Sequence, residues 1–128
     1  MKLHHLGLII KDLDKWERYM IFEKKINDLI DPIQNSRLAF YKNFSDTYIE
    51  LIQPLNDSAF TWNTLMKNGN HINHFCYFDI SENQVKELTV QKNMIYISGP
   101  MPALLFDNKR VMFYYTRNRE IVEFLLTD

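Results

Sequence analysis

Apolar residues run from Leu3 to Ile10 and stop at Lys11 and Asp12, a length and a β-branched finish that suit a buried strand. The period then changes. Trp16, Tyr19 and Met20 recur at helical spacing, and Asp14 stands three residues before Glu17 as in a capping box, so a helix is expected from Asp14 to about Lys25. Residues 38–44 and 47–52 read as two strands around a turn at 43–46, closed by Pro54, which lacks a ladder donor. A weaker helical pattern in Phe60, Trp62, Leu65 and Met66 covers residues 58–68 and stops at Gly69.

The order then starts again. Residues 74–78 read as a strand, and Ser81 offers a hydroxyl cap to a helix through Val85 and Leu88. Residues 94–97 read as a short strand, and Gly99, Pro100 and Pro102 predict a bend. Residues 110–115 and 121–126 make a second hairpin around 116–119.

Laid over each other, the halves share more than element order. His5 to Asp14 (HLGLIIKDLD) matches the pattern of His74 to Ser81, and Tyr48-Ile49-Glu50 matches Ile121-Val122-Glu123. His5 precedes Glu50 by 45 residues and His74 precedes Glu123 by 49, so each half carries a matching histidine and glutamate in corresponding strands. A histidine in a strand can be a packed residue, and a glutamate can face solvent. Their repeated pairing favours a common purpose. A carboxylate between Ile49 and Leu51 suffers desolvation unless a cation meets it, and one divalent ion shared by His5, Glu50, His74 and Glu123 would satisfy both acids. Nitrogen and oxygen donors suit Zn, Co, Ni, Mn or Fe without selecting among them. Strand phase places His4 opposite His5; His4 and His71 are candidates for a supporting hydrogen bond to a ligand.

Composition narrows the classes. With 128 residues, about 65% of the unfolded surface can be buried, so a metal would serve function rather than hold the core together. One cysteine, Cys76, excludes a disulfide framework and thiolate-clustered zinc, and its apolar setting suggests a buried thiol. Fifteen basic and sixteen acidic residues without a cationic stripe argue against nucleic-acid or anionic-membrane partners. Three glycines and no phosphate-loop pattern argue against a nucleotide cradle. No apolar segment approaches a membrane span or a secretory leader, so the cytoplasm is the expected compartment.

The motifs resemble the vicinal-oxygen-chelate superfamily, which includes glyoxalase I, methylmalonyl-CoA epimerase, extradiol dioxygenases and bleomycin or fosfomycin resistance proteins. The resemblance lies in HLGLIIKDLD from His5, ELIQPL from Glu50, NHFCYFDI from Asn73, ISGP from Ile97, KRVMFYYT from Lys109 and EIVEFL from Glu120. The epimerase branch is the nearest local match. The resemblance implies an α+β fold of paired βαβββ modules in a cupped mixed sheet, as one domain over 1–128. Module one then covers about 1–55, a connector about 56–70, and module two about 71–128.

It further implies metal ligation by His5, Glu50, His74 and Glu123, a small-molecule substrate, and a homodimer as one possible assembly. The expected activity is that of a metal-dependent isomerase or lyase working on a carbonyl or acyl-thioester through an enediolate. Glu123 or Glu50 would be the base, and Asp31 a third candidate acid or base. The segment from the first helix to Arg37 is shorter than the family pattern, which predicts a lost or degraded strand. Three alternatives are a binding or resistance protein with Trp62, Phe113 and Tyr115 around an aromatic ligand, an iron-dependent dioxygenase, and a vestigial metal site. Arg37, Lys109 and Arg110 are candidate anion contacts.

Overall fold

The computed structural model describes residues 1–127. Its elements follow the order β1 (Lys2–Ile9), α1 (Leu13–Tyr19), β2 (Lys24–Asp31), β3 (Ser36–Lys42), β4 (Tyr48–Pro54), α2 (Trp62–Asn68), β5 (His71–Ile80), α3 (Glu82–Gln91), β6 (Ile95–Ala103), a 3-10 turn (Leu104–Phe106), β7 (Lys109–Tyr115) and β8 (Ile121–Leu126). This is a βαβββ order written twice around α2. The chain divides into two compact units, one holding Leu6–Asn73 and the other Met1–His5 with the residues from His74 onward. No helix among the described residues is long and apolar enough to cross a membrane.

In the Leu6–Asn73 unit the strand order is β2-β3-β4-β1, with β2, β3 and β4 antiparallel. Ile10, Leu13, Ala39, Tyr41 and Leu51 form its core. The first helix starts earlier and ends sooner than its periodicity suggests. Asp12, not Asp14, is the cap and accepts from the Lys15 N–H, because Leu13 at the first helical position is fully buried and fixes the entry to the helix. The Gln53 side chain accepts from the Leu13 N–H at 2.8 Å and ties the helix to β4.

The strand expected to be lost is present as β2. Its sequence, KKINDLID, hides it because an edge strand with mostly exposed side chains needs no apolar alternation, and the register shift between Lys25 and Asn27 breaks the period. Charge holds it instead. Arg37 on β3 donates from Nε and Nη2 to the two carboxylate oxygens of Asp28 at 3.0 and 2.8 Å, and Lys25 lies 2.6 Å from Asp28. Lys25 also meets Glu17 at 2.7 Å, and Glu17 accepts from the buried Tyr41 hydroxyl at 2.9 Å. Glu17 is thus an anchor for β2 and β3 rather than half of a capping box.

In the other unit the order is β1-β5-β8-β7-β6, with β5 and β8 parallel and β8, β7 and β6 antiparallel. Ser81 and Gln84 make the capping box of α3. One sheet face gives Val122, Phe124 and Leu126 of β8, Met112 and Tyr114 of β7, and Ile80 of β5 to a core with Val85 of α3. Period-two alternation sends the intervening residues to the opposite face, where Cys76, Val111 and Leu125 pack with Phe78, Phe106 and Phe113. Two outlines differ from expectation. Strand β5 begins at His71, and β6 continues through Gly99 and the prolines to Ala103, absorbing the expected bend as register shifts against β7.

Candidate metal centre

Strand alternation explains how a carboxylate comes to lie inside the second unit. Val122 and Phe124 commit β8 to the α3-facing core, so Glu123 between them must point to the other face, flanked in register by Cys76 on β5 and Phe113 on β7. On that face His5 of β1 is fully buried, and His74 and Glu123 are each 3% exposed. Their donor atoms converge. His5 Nε2 lies 3.2 Å from His74 Nε2 and 3.2 Å from Glu123 Oε1, and His74 Nε2 lies 3.1 Å from the same oxygen.

Although two imidazoles stand beside it, Glu123 Oε1 is a buried acceptor with no well-aligned hydrogen bond. The three atoms face a common point rather than pairing off. Two ligands about 2.0–2.2 Å from one ion stand about 2.8–3.1 Å apart at a right angle and about 3.3–3.6 Å apart at a tetrahedral angle. The observed separations of 3.1–3.2 Å fall between these values, so the triad fits a single divalent ion. Burial acts to raise the Glu123 carboxyl, but the adjacent His5 and His74 imidazoles override it and hold the group well below the usual carboxylate range. The site therefore keeps its acid ionised, as ligation requires.

Aromatic rings wall the triad. Phe106 lies tilted against His5 at 5.3 Å between centroids, and Phe113 stands edge-on to His74 at 6.0 Å. Phe106 was not among the residues singled out from the sequence; it lies in an irregular turn after β6, where no periodicity marks it. His4 corrects the strand-phase expectation. Instead of facing away, its ring meets Phe78 and Phe106 edge-on at 5.1 and 5.6 Å, and its Nδ1 lies 2.8 Å from His5 Nδ1. Packing against these aromatic rings overrides simple alternation. Cys76 is a buried thiol outside any disulfide, and its Sγ–H points to the Tyr77 carbonyl at 3.7 Å, in keeping with a structural residue.

The remaining candidates have surroundings of their own. Glu50 lies in β4 of the Leu6–Asn73 unit, 6% exposed and opposite Phe40 in the antiparallel register. Asp31, at the end of β2, is buried and spent on its own hairpin: one carboxylate oxygen accepts from the N–H groups of Ile33 and Gln34, the other from the Gln34 side chain. Arg37 is engaged by Asp28 and Asp14, and Arg110 by Glu82. His71 turns to the Gly69 carbonyl at 2.7 Å.

Comparison with known proteins agrees with this architecture. The family model described as glyoxalase/bleomycin resistance protein/dioxygenase superfamily matches residues 4–113, and the chain belongs to that superfamily. Its α+β fold of βαβββ modules is the one the resemblance implied, with the two-fold repetition read from the halves. Among solved structures, methylmalonyl-CoA epimerase from Mycobacterium tuberculosis superposes with a TM-score of 0.82 at 19% identity, over 99% of this chain and 88% of the other. A hypothetical protein from Bacillus halodurans C-125 gives 0.84 at 19% identity, over 99% and 94%. A Streptomyces coelicolor methylmalonyl-CoA epimerase variant in complex with 2-nitronate-propionyl-CoA gives 0.77 at 18%, over 97% and 95%. None of the curated protein sequences matches the chain.

Proposed function

We propose that this protein is a divalent-metal-dependent isomerase or lyase that moves a proton on the carbon next to a carbonyl or acyl-thioester group, in the manner of the epimerases whose fold it shares. The observation that carries the reading is the buried triangle of His5 Nε2, His74 Nε2 and Glu123 Oε1. His5, His74 and Glu123 would hold the ion, with Glu50 as the fourth ligand on the strength of its matching place in the repeat. A bound divalent ion supplies positive charge against the negative charge that develops on a carbonyl oxygen as the α-proton leaves.

The chain's own residues do the rest. Phe106 and Phe113 keep water from the histidines and lower the local dielectric, which strengthens every charge interaction there. The carboxylate of Glu123, through Oε2, or that of Glu50 takes the α-proton and returns it. Asp31 is left out of this proposal, since both its oxygens already accept hydrogen bonds within its own hairpin.

The test is α-hydrogen exchange in deuterated water across a panel of acyl-CoA thioesters and hemithioacetals, with zinc, cobalt or manganese added. Exchange that needs the metal and falls about 100- to 10,000-fold in Glu123→Gln or Glu50→Gln supports the assignment. Metal binding without exchange on any member of the panel would sink it.

A further inference from the structure

Resting on the metal reading above, the geometry points to His4 as the residue that fixes the tautomer and orientation of the ligand His5. Their Nδ1 atoms lie 2.8 Å apart, a distance that requires one nitrogen to donate and the other to accept. His5 turns its Nε2 to Glu123 and His74. To offer that nitrogen's lone pair to an ion, His5 must carry its ring proton on Nδ1 and donate it outward. His4 Nδ1 is then the acceptor, and the His4 proton sits on Nε2.

A metal-bound imidazole usually donates its second N–H to a carboxylate or a carbonyl, which orients the ring and raises its basicity. Here a neutral imidazole does the same work. Its own orientation is set by the rings of Phe78 and Phe106, which approach it edge-on. Because His5 is fully buried, bulk water cannot stand in for a lost partner. His4 is therefore a positioning residue that touches neither ion nor substrate.

Zinc alone is the probe. Affinity is measured by chelator competition for the native protein, for His4→Phe, which keeps a ring against Phe78 and Phe106 but cannot accept, and for His4→Asn, whose Oδ1 stands where Nδ1 stood. His4→Phe is expected to weaken zinc binding roughly 10- to 100-fold and His4→Asn to restore most of it. In the native zinc-loaded protein, nitrogen-15 spectra should show His4 protonated on Nε2 only, with scalar coupling across the bond joining the two Nδ1 atoms. Native affinity in a folded His4→Phe, or a proton on His4 Nδ1 in the zinc-loaded state, would overturn the role of His4. Failure of the native protein to bind zinc would overturn the metal reading itself and this role with it.

Discussion

The Nε2 atoms of His5 and His74 come within 3.2 Å of each other although 69 residues separate them in the chain. Two ring nitrogens at that distance cannot both carry protons without repulsion. Nor can both present lone pairs without a positive group to receive them. Glu123 Oε1, 3.2 and 3.1 Å from the same nitrogens, adds a negative charge to the same buried point. A ring N–H donated within the triad serves one pair of these atoms at a time, whereas a single cation serves all three.

Removal of any one member should therefore abolish tight binding rather than shave it. His5→Ala, His74→Ala and Glu123→Ala are each expected to lose at least about 100-fold in zinc or cobalt affinity, the upper end of what loss of a mere supporting residue produces. Titration calorimetry with cobalt absorption spectra measures this. A binding isotherm for Glu123→Ala that overlays the native one would exclude the triad as the site.

Metal occupancy should also stabilise the fold, since the unfolded chain scatters the three ligands. At a free metal concentration one hundred times the dissociation constant the gain is about 2.7 kcal/mol. For a domain of this size that raises the unfolding midpoint by roughly 10 °C. Differential scanning fluorimetry with and without added zinc, then with chelator, should show the shift and its reversal. His5→Ala should show neither.

The legibility of the site follows from the kind of signal each residue leaves. His5, Glu50, His74 and Glu123 stand out because a repeat puts identical chemistry at matched places, and period-two alternation assigns Glu123 its face once Val122 and Phe124 are recognised as core. Strand β2 left no such signal. Beyond its ladder with β3, its side-chain anchors are Arg37, Asp28, Lys25 and Glu17, and charge pairs across an edge strand have no periodicity to read. His4 was expected as a supporting hydrogen-bond partner, which its contact with His5 agrees with, but its facing was misread for a related reason: alternation is a rule about the backbone, and an imidazole drawn to Phe78 and Phe106 does not obey it. Asp31 was a candidate through the family resemblance alone, and only the hairpin geometry reveals that its carboxylate is already engaged.

The Asp28 cluster gives a pH dependence with a definite sign. The Arg37 hydrogen bonds, helped by Lys25 and opposed by burial, bring the Asp28 carboxyl down from 3.8 to about 2. A carboxyl depressed in the folded state stabilises the protein above its unfolded value and loses that contribution as pH falls toward about 2. Asp28→Asn should thus be less stable than the native protein near neutral pH by about 1 kcal/mol, the upper part of the range for partly exposed pairs. The gap should close as the pH is lowered to 2. Urea unfolding of both proteins from pH 7 to pH 2 reads the difference directly, and a gap that stayed constant would assign the effect to packing instead of charge.

Gly99 offers a sharper test of how β6 is held to the sheet. Its φ of 97° lies where side chains are rarely tolerated, and a Cβ built there would collide with the Val111 carbonyl oxygen and stand 2.9 Å from the Met112 Cα. Both obstacles are backbone atoms of β7, so no side-chain rotation relieves them. Met112 packs in the α3-facing core and Val111 in the cluster beside the triad, so a displaced β7 is felt on both faces of the sheet. Gly99→Ala is accordingly expected to cost upwards of about 2 kcal/mol in urea unfolding, more than an exposed edge position ordinarily would. Amide exchange should speed up first in β6 and β7, while the hairpin of β2 and β3 keeps its native protection. A variant within about 0.5 kcal/mol of native would mean that β6 can withdraw from β7 at that point without disturbing the strands behind it.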